Sequence, residues 1–497
     1  MNNEELIEQE EMGKENKELT IWEALIPVVA LVVMLAYNVL VYGDDALSGS
    51  NQFVLLLGAA VAALVGLRNK ISFDDMIGEV ANNVKSTSGA ILILLMVGAL
   101  AGTWLISGII PAMIYYGMQV LNPTIFLPAC VIICSIIATA TGSSWTTSAT
   151  VGIALIGIAD ALGIPVGMTA GAILSGAYFG DKLSPLSDTT NLAPAMAGTD
   201  LFTHIRYMLF TTVPTLVVTL IVFVILGFTI ETTGAAETGA ILASIEKAFN
   251  INLWLFLVPA FVIFLIIKKT SPLIALFLGT LLAALVAIIF QPGIILEVAG
   301  ADRLTFESTY QGIMNAITVE TNITTDNAQL NDLFSSGGMA GMLGTVWLII
   351  CAMVFGGIMD AIGALAAISK ALLNLFHTTF GLFASTVFSC LTLNATASDQ
   401  YLAIVVPGKM FSKAYRDKGL APENLSRTLE DSATVTSVLV PWNTCGAYHQ
   451  GVLGVPVASY FAYAIFNYLS PFMTLLYAAL NIKIRRLTDT TPEAVKA

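Results

Sequence analysis

Along most of the chain, polar side chains are confined to short breaks between long apolar runs. Read with a window of about 19 residues, apolar stretches fall near 21–42, 52–67, 88–108, 123–141, 145–163, 167–180 and 207–229. After a polar break they resume near 251–267, 272–290, 342–361, 378–393, 400–407, 432–447 and 456–481. The longer ones reach the ~20 residues that a helix needs to cross a bilayer. The pattern therefore predicts an all-α polytopic membrane protein. The first stretch does not read as a cleaved signal peptide, because it follows an acidic segment and lacks a basic n-region.

Composition strengthens this. Of 497 residues, 56% are hydrophobic and 11% charged, against roughly 25% charged in soluble domains. That is too little charge to cover a water-facing surface, so a soluble fold is excluded and the surplus apolar surface must face lipid. The net charge is −13, but residues 1–20 hold seven Glu against Lys14 and Lys17. Much of the acidity is thus a local solvated tail, and nucleic acid is not an expected partner. The five cysteines form no CxxC pair and the chain has three His, which leaves disulfides, structural zinc and haem unsupported.

Topology follows from Lys and Arg rather than from net charge. Arg68/Lys70, Arg206, Lys268/Lys269, Lys370, the cluster Lys409–Arg427 and Lys483/Arg485/Arg486 belong in the cytoplasm, whereas 43–51, 155–166 and 291–341 contain only Arg303 and face outward. Not every apolar stretch can span under this assignment. The pairs 123–141/145–163 and 378–393/400–407 would each have to enter and leave on one side, so each reads as a re-entrant hairpin. About ten spans and two hairpins result, with both termini inside.

The halves also echo each other. Val54–Leu64 resembles Ala275–Leu285, and Ala138–Thr141 (ATAT) before Gly142–Ser143–Ser144 resembles Ala395–Ser398 (ATAS) before Asp399–Gln400. Internal similarity with opposite charge-derived orientation is the mark of the inverted-topology repeats found in many secondary transporters. The expected organisation is an acidic cytoplasmic tail (1–20), a first repeat (21–230), an external linker (231–250), a second repeat (251–482) and a cytoplasmic C-terminal tail (483–497). Each repeat has about five spans, one hairpin and one broken helix.

Backbone that leaves helical geometry at membrane depth must line water, ligand or protein. Four polar, Gly- or Pro-broken runs stand out: Thr139–Ser148, Gly180–Pro194, Asn394–Gln400 and Glu430–Thr444. They form two matched pairs, and the site is expected where they meet. Asp181, Lys182 and Asp188 are the densest intramembrane charges, each costing roughly 2.5–3.5 kcal/mol at a helix centre in lipid. Pro185 removes a donor and disfavours helix at Ser184, which would free carbonyls around 181–185 to coordinate. Carboxylates, hydroxyls and amides are hard donors suited to Na+-like cations.

The candidate ion- or substrate-binding set is Asp181, Lys182, Asp188, Thr189 and Asn191, with Thr139, Thr141, Ser143, Asn394, Thr396, Ser398, Asp399 and Asp431. Asp181, Asp188 and Asp399 are the acids for a transported Na+. Structural alternatives stand beside these: an ion pair between Lys182 and an Asp, the run Gly180–Pro194 as a cytoplasmic loop before Arg206, an N-cap role for Asp399 and a surface salt bridge of Glu430/Asp431 with Arg427. Asp360 is the remaining intramembrane acid, and His449 is placed at a solvated helix edge.

The run Ser175–Asn191 (SGAYFGDKLSPLSDTTN) resembles a segment of the NhaC family of bacterial sodium:proton antiporters, and the spread of apolar stretches resembles that family along nearly the whole chain. The resemblance implies a secondary active exchanger in the bacterial cell membrane, not an enzyme, that trades Na+ for H+ by alternating access and serves pH homeostasis. Some relatives look like malate/lactate or amino-acid exchangers, so a Na+- or H+-coupled organic-acid or amino-acid carrier stays open. A carboxyl that titrates near pH 4 in water shifts by several units when desolvated, and competition of proton and cation for it is the minimum machinery for antiport. Lys182 could balance an empty cation site or attract a carboxylate substrate. No cofactor is expected beyond transported Na+ and H+; the bilayer, small ions and an organic anion are the expected partners, and a homodimer is open. An intramembrane aspartyl protease lacks its second Asp motif, an ATP-driven pump lacks a GxxxxGK[ST] loop, and a channel fits charged interruptions in both halves less well than a carrier does.

Overall fold

The computed structural model describes residues 19–487 except 43–48, 121–122, 231–234, 269, 327 and 376–377. The acidic tail up to residue 18, the start of the 231–250 linker and residues 488–497 of the C-terminal tail therefore lie outside the described residues. Among the described residues, eight helices are long and apolar enough to cross a membrane: Ile21–Tyr42, Ser50–Arg68, Phe73–Ile106, Pro123–Thr141, Leu201–Thr229, Pro272–Phe290, Gly338–Ala361 and Thr379–Thr396. A ninth arises if Gly239–Ala248 and Leu253–Ile267, bent by 85°, count as one span. Their outward faces are apolar, as with Phe210, Val217, Ile221, Ile225 and Phe228 on Leu201–Thr229. Such a surface is stable only against lipid tails. The protein is an all-α polytopic membrane protein.

Eight or nine such helices replace the expected ten spans because the other apolar stretches are interrupted. A wide turn at Ser148–Gly152 divides 145–163, and Ser184 leaves the helix after Leu183. Between the wide turn Glu430–Thr434 and the helix Thr444–Leu453, the chain passes through a short tight turn and extended Val440. Hydropathy averages over these breaks and cannot locate them.

One order of elements occurs twice. Phe73–Ile106 ends at left-handed Gly108 (φ 77°), followed by the twelve-residue helix Ile109–Val120. Leu343–Ala361 ends at left-handed Gly363 (φ 73°), followed by the twelve-residue helix Ala364–Leu375. Then come Pro123–Thr141 and Thr379–Thr396, each ending in a left-handed residue and an extended cap before a new helix. The twelve-residue helices went unpredicted because each is shorter than a span.

The two halves meet through polar contacts in an apolar interior. Fully buried Lys182, at the end of the helix Val166–Leu183, pairs with fully buried Asp431. The second oxygen of Asp431 accepts from Thr211 (2.8 Å) and from Thr474. The Tyr448 hydroxyl donates to the Trp145 carbonyl (3.1 Å), and the two rings stack with centroids 3.9 Å apart. His449 is not at a solvated edge. It is fully buried beside Trp145, Tyr178 and Tyr448, because its helix packs between the halves.

Breaking one side of the Lys182–Asp431 pair leaves a buried charge uncompensated. Lys182→Met is expected to cost about 3–5 kcal/mol, whereas Lys182→Met/Asp431→Leu together recover most of it. Thermal unfolding of the four proteins in detergent checks this as a double-mutant cycle.

Candidate functional site

The site begins where two of the long apolar helices stop. Pro123–Thr141 ends at Gly142 (φ 70°), and a Cβ there would lie 2.5 Å from Leu186 Cβ and 2.7 Å from the Leu186 carbonyl carbon. Only glycine fits both the left-handed backbone and that approach. Extended Ser143 then caps the next helix, accepting from the Thr146 N–H (3.1 Å). In the second half, Thr379–Thr396 gives way to left-handed Ser398 (φ 58°). Extended Asp399 follows and accepts from the Tyr401 (2.8 Å) and Leu402 (3.0 Å) N–H groups. The N-cap role expected as an alternative for Asp399 is thus its observed local role.

Each tip rests on the broken helix of its own half. Asp181 Oδ2 accepts from the Ser144 backbone N–H (3.0 Å) and the Ser144 hydroxyl (2.7 Å), holding the start of the helix after the first tip. In the second half the Thr444 N–H donates to the Ser398 carbonyl (2.9 Å), and the Asn443 amide donates to the Asn394 carbonyl (3.0 Å). Asn394 in turn donates to the Ala433 carbonyl (2.7 Å) and Thr436 Oγ1 (3.0 Å). The carbonyls expected to be free around Pro185 are occupied. Thr190 donates to those of Asp181 (3.3 Å) and Lys182 (3.1 Å), and Asn191 donates to those of Pro185 (3.0 Å) and Ser187 (2.7 Å). This satisfies interrupted backbone that lipid could not.

Between the tips lies a cavity of about 520 Å3, lined by Asp181, Asp188 and Asp399 and by Thr141, Ser143 and Thr189 from the expected set. Asp181 and Asp399 are buried at its wall and Asp188 is exposed. Among the described residues, these three are the charged ones in the lining. They share the cavity without clustering: among the described residues, no three His, Cys, Asp or Glu side chains could hold one metal ion together. A cation here would take its remaining ligands from hydroxyl and backbone oxygens.

The other expected residues are elsewhere. Lys182 and Asp431 are spent on each other behind the cavity. Thr139 faces away, its hydroxyl on the Ser135 carbonyl (2.7 Å), and Thr396 bonds the Thr392 carbonyl (2.9 Å). Asn191 and Asn394 brace turns, Ser398 is fully buried at the tip, and Asp360 is outside the lining. Sequence reasoning missed Ser86 and Thr87, and Thr270 and Ser271, which also line the wall, whereas Gln400 and Thr444 there end two of the polar runs it singled out. The first two pairs stand at the polar ends of apolar stretches, where a hydropathy window discards them. It also left Glu430 open between a site role and a surface salt bridge with Arg427. Glu430 is fully buried, and neither of its oxygens has a hydrogen-bond partner among the described residues.

Comparison with known proteins shows the family of the chain. The model of the Na+/H+ antiporter family matches residues 176–482. The Na+/H+ antiporter NhaC of Alkalihalophilus pseudofirmus is 34% identical over 430 residues, 86% of this chain and 90% of that one. The protein of the same name in Bacillus subtilis is 35% identical over 399 residues, covering 80% and 85%. A malate-2H+/Na+-lactate antiporter of Bacillus subtilis is 36% identical over 435 residues, covering 87% and 88%. A family match over more than half the chain, joined to identity above 30% across most of both lengths, means that this chain belongs to the Na+/H+ antiporter family.

Proposed function

We propose that the protein is a secondary transporter that exchanges Na+ for H+ by alternating access, with the cation bound in the cavity between the two tips. The observation that carries this is the charge of the lining: among the described residues it holds aspartates from both halves and no Lys or Arg. A desodiated cavity holds unbalanced negative charge in surroundings of low dielectric, which favours entry of a cation or protons. Asp181 supplies a buried carboxylate from the first half, Asp399 the matching buried group of the second half and Asp188 the exposed approach. Hydroxyls of Thr141, Ser143 and Thr189 add hard neutral donors of the kind Na+ takes. No resident cofactor enters the scheme.

Alternating access needs two units that move against each other. The repeated element order, the matched tips and the Lys/Arg distribution support two inverted repeats, 21–230 and 251–482, joined by 231–250. On this reading the first arms of the tips are re-entrant, and both termini are cytoplasmic in a bacterial inner membrane. The family resemblance supports pH homeostasis as the physiological role; a homodimer is compatible with this arrangement.

The second reading is a Na+- or H+-coupled exchanger of organic acids or amino acids. The cavity volume favours it, since about 520 Å3 falls in the range of small-molecule sites. Lys182 is not the anion receptor for it, being buried against Asp431. Any organic anion would have to be held through the cation.

Two outcomes are expected in liposomes carrying an internal pH dye. Asp181→Asn and Asp399→Asn each reduce Na+-driven proton movement at least about tenfold, equivalent to ~1.4 kcal/mol of lost ion interaction; wild-type rates in both would refute the cavity as the site. Adding Na+, Li+, K+, malate, lactate and amino acids in turn separates the two readings, a proton response to Na+ alone supporting the first. Gly142→Ala pushes a Cβ into Leu186 and is expected to cost about 1–3 kcal/mol of tip strain, seen as slower exchange in protein that still inserts.

A further inference from the structure

The interior treats two consecutive acids in opposite ways. Glu430 and Asp431 both lie in the wide turn Glu430–Thr434 and are fully buried. Asp431 is matched on both oxygens, by Lys182 on one and by Thr211 and Thr474 on the other. Glu430 has no hydrogen bond within 3.5 Å to either oxygen among the described residues; the Thr434 hydroxyl one turn on lies near enough to act on it and has no other partner there. A carboxylate anion so placed is a buried charge with one loosely placed hydroxyl for company, whereas the neutral acid is tolerated. Asp431 already compensates the Lys182 charge, so Glu430 has no cation of its own.

The electrostatic neighbours of Glu430 tie it to the cavity. Glu430 precedes Asp431, Asp431 pairs with Lys182, and Lys182 follows Asp181, a cavity-lining carboxylate. Of the elements packed against this turn, Thr379–Thr396 and Ile465–Ala479 carry no charged side chain, only Cys390 on the first and Tyr468 and Tyr477 on the second. Gln400–Asp417 carries Tyr401 and Tyr415, with its charges beginning at Lys409 and continuing with Lys413, Arg416 and Asp417. Pro422–Leu429 carries Glu423 and Arg427, and Asp188–Ala197 carries Asp188.

We propose that Glu430 is the proton-binding group of the exchanger, separate from the cation site at Asp181 and coupled to it through the field of the shared interior. This rests on the reading of the cavity as the cation site. A cation arriving beside Asp181 makes an anion at Glu430 tolerable, and the Glu430 proton leaves. A proton returning to Glu430 removes a negative charge that helped hold the cation, and the cation leaves. One positive charge replaces another, so the buried total is unchanged. Reciprocity is required, since each ligand must alter the affinity of the other by the same factor.

The test is 22Na+ binding to the purified full chain between about pH 6 and pH 9, with proton release followed by dye in weak buffer. In the wild type, apparent Na+ affinity falls about tenfold per pH unit on the acidic limb, one proton per ion. Glu430→Gln has the shape of the acid form and is expected to bind 22Na+ with a flat pH profile and no Na+-induced proton release. Glu430→Asp restores the slope, while Asp181→Asn loses 22Na+ binding at every pH. A slope or proton release that survives in Glu430→Gln overturns the proposal and leaves the cation site standing; a wild type that binds no 22Na+ overturns the underlying reading instead. If Glu430→Gln does not fold, the infrared carbonyl band of a protonated carboxyl decides: Na+ must abolish it in the wild type and Glu430→Asp must shift it, and a band indifferent to either overturns the proposal.

Discussion

Every peptide group that leaves a helix inside a bilayer must find a partner in the protein, because lipid offers none. Here that requirement is met locally, by hydrogen bonds between each helix break and the tip beside it. The Ser144 N–H goes to Asp181, the Thr444 N–H to the Ser398 carbonyl, and the Asn443 amide to the Asn394 carbonyl. Each tip is thereby braced on the broken helix of its own half. The cavity is the space between two such braced units, and its position follows from theirs.

The same constraint sorts the acids. A carboxylate in the interior is stable when it has a cation or several donors, and the chain supplies these unequally. Asp431 has a lysine and two threonines; Asp181 and Asp399 have N–H groups at helix starts, where the exposed ends of the backbone dipoles favour negative charge; Glu430 has no hydrogen bond within 3.5 Å among the described residues. Groups that are satisfied as anions hold the structure together or face an ion. The one left unsatisfied is suited to hold a proton. An exchanger needs both kinds, and the breaks in the helices are what bring them within reach of one another.

Much of this is legible in the linear pattern, and the remainder has identifiable causes. Each of the eight long apolar helices falls on an expected stretch, since hydropathy over twenty residues reports directly on lipid exposure. The tips are visible as Gly142–Ser143–Ser144 and Ser398–Asp399–Gln400, where capping residues interrupt apolar sequence. The echo of ATAT and ATAS reappears as two left-handed residues followed by two extended caps. The hydroxyls of Thr139 and Thr396 were misleading for a general reason: a threonine in a helix can satisfy itself on the carbonyl four residues back, so a polar residue near a break need not face the site.

What the sequence determined alone is the membrane class, the places where helices must stop, and a short set of acids too costly to bury without purpose; these depend on composition and on neighbours a few residues apart. Only the tertiary structure decided the pairings. Lys182 could have bonded Asp181 or Asp188 nearby, yet its partner is 249 residues away, and that choice removed Lys182 from the cavity and left Glu430 alone. The reason is that electrostatic energy in a medium of low dielectric depends on distance through space, which a linear pattern does not record.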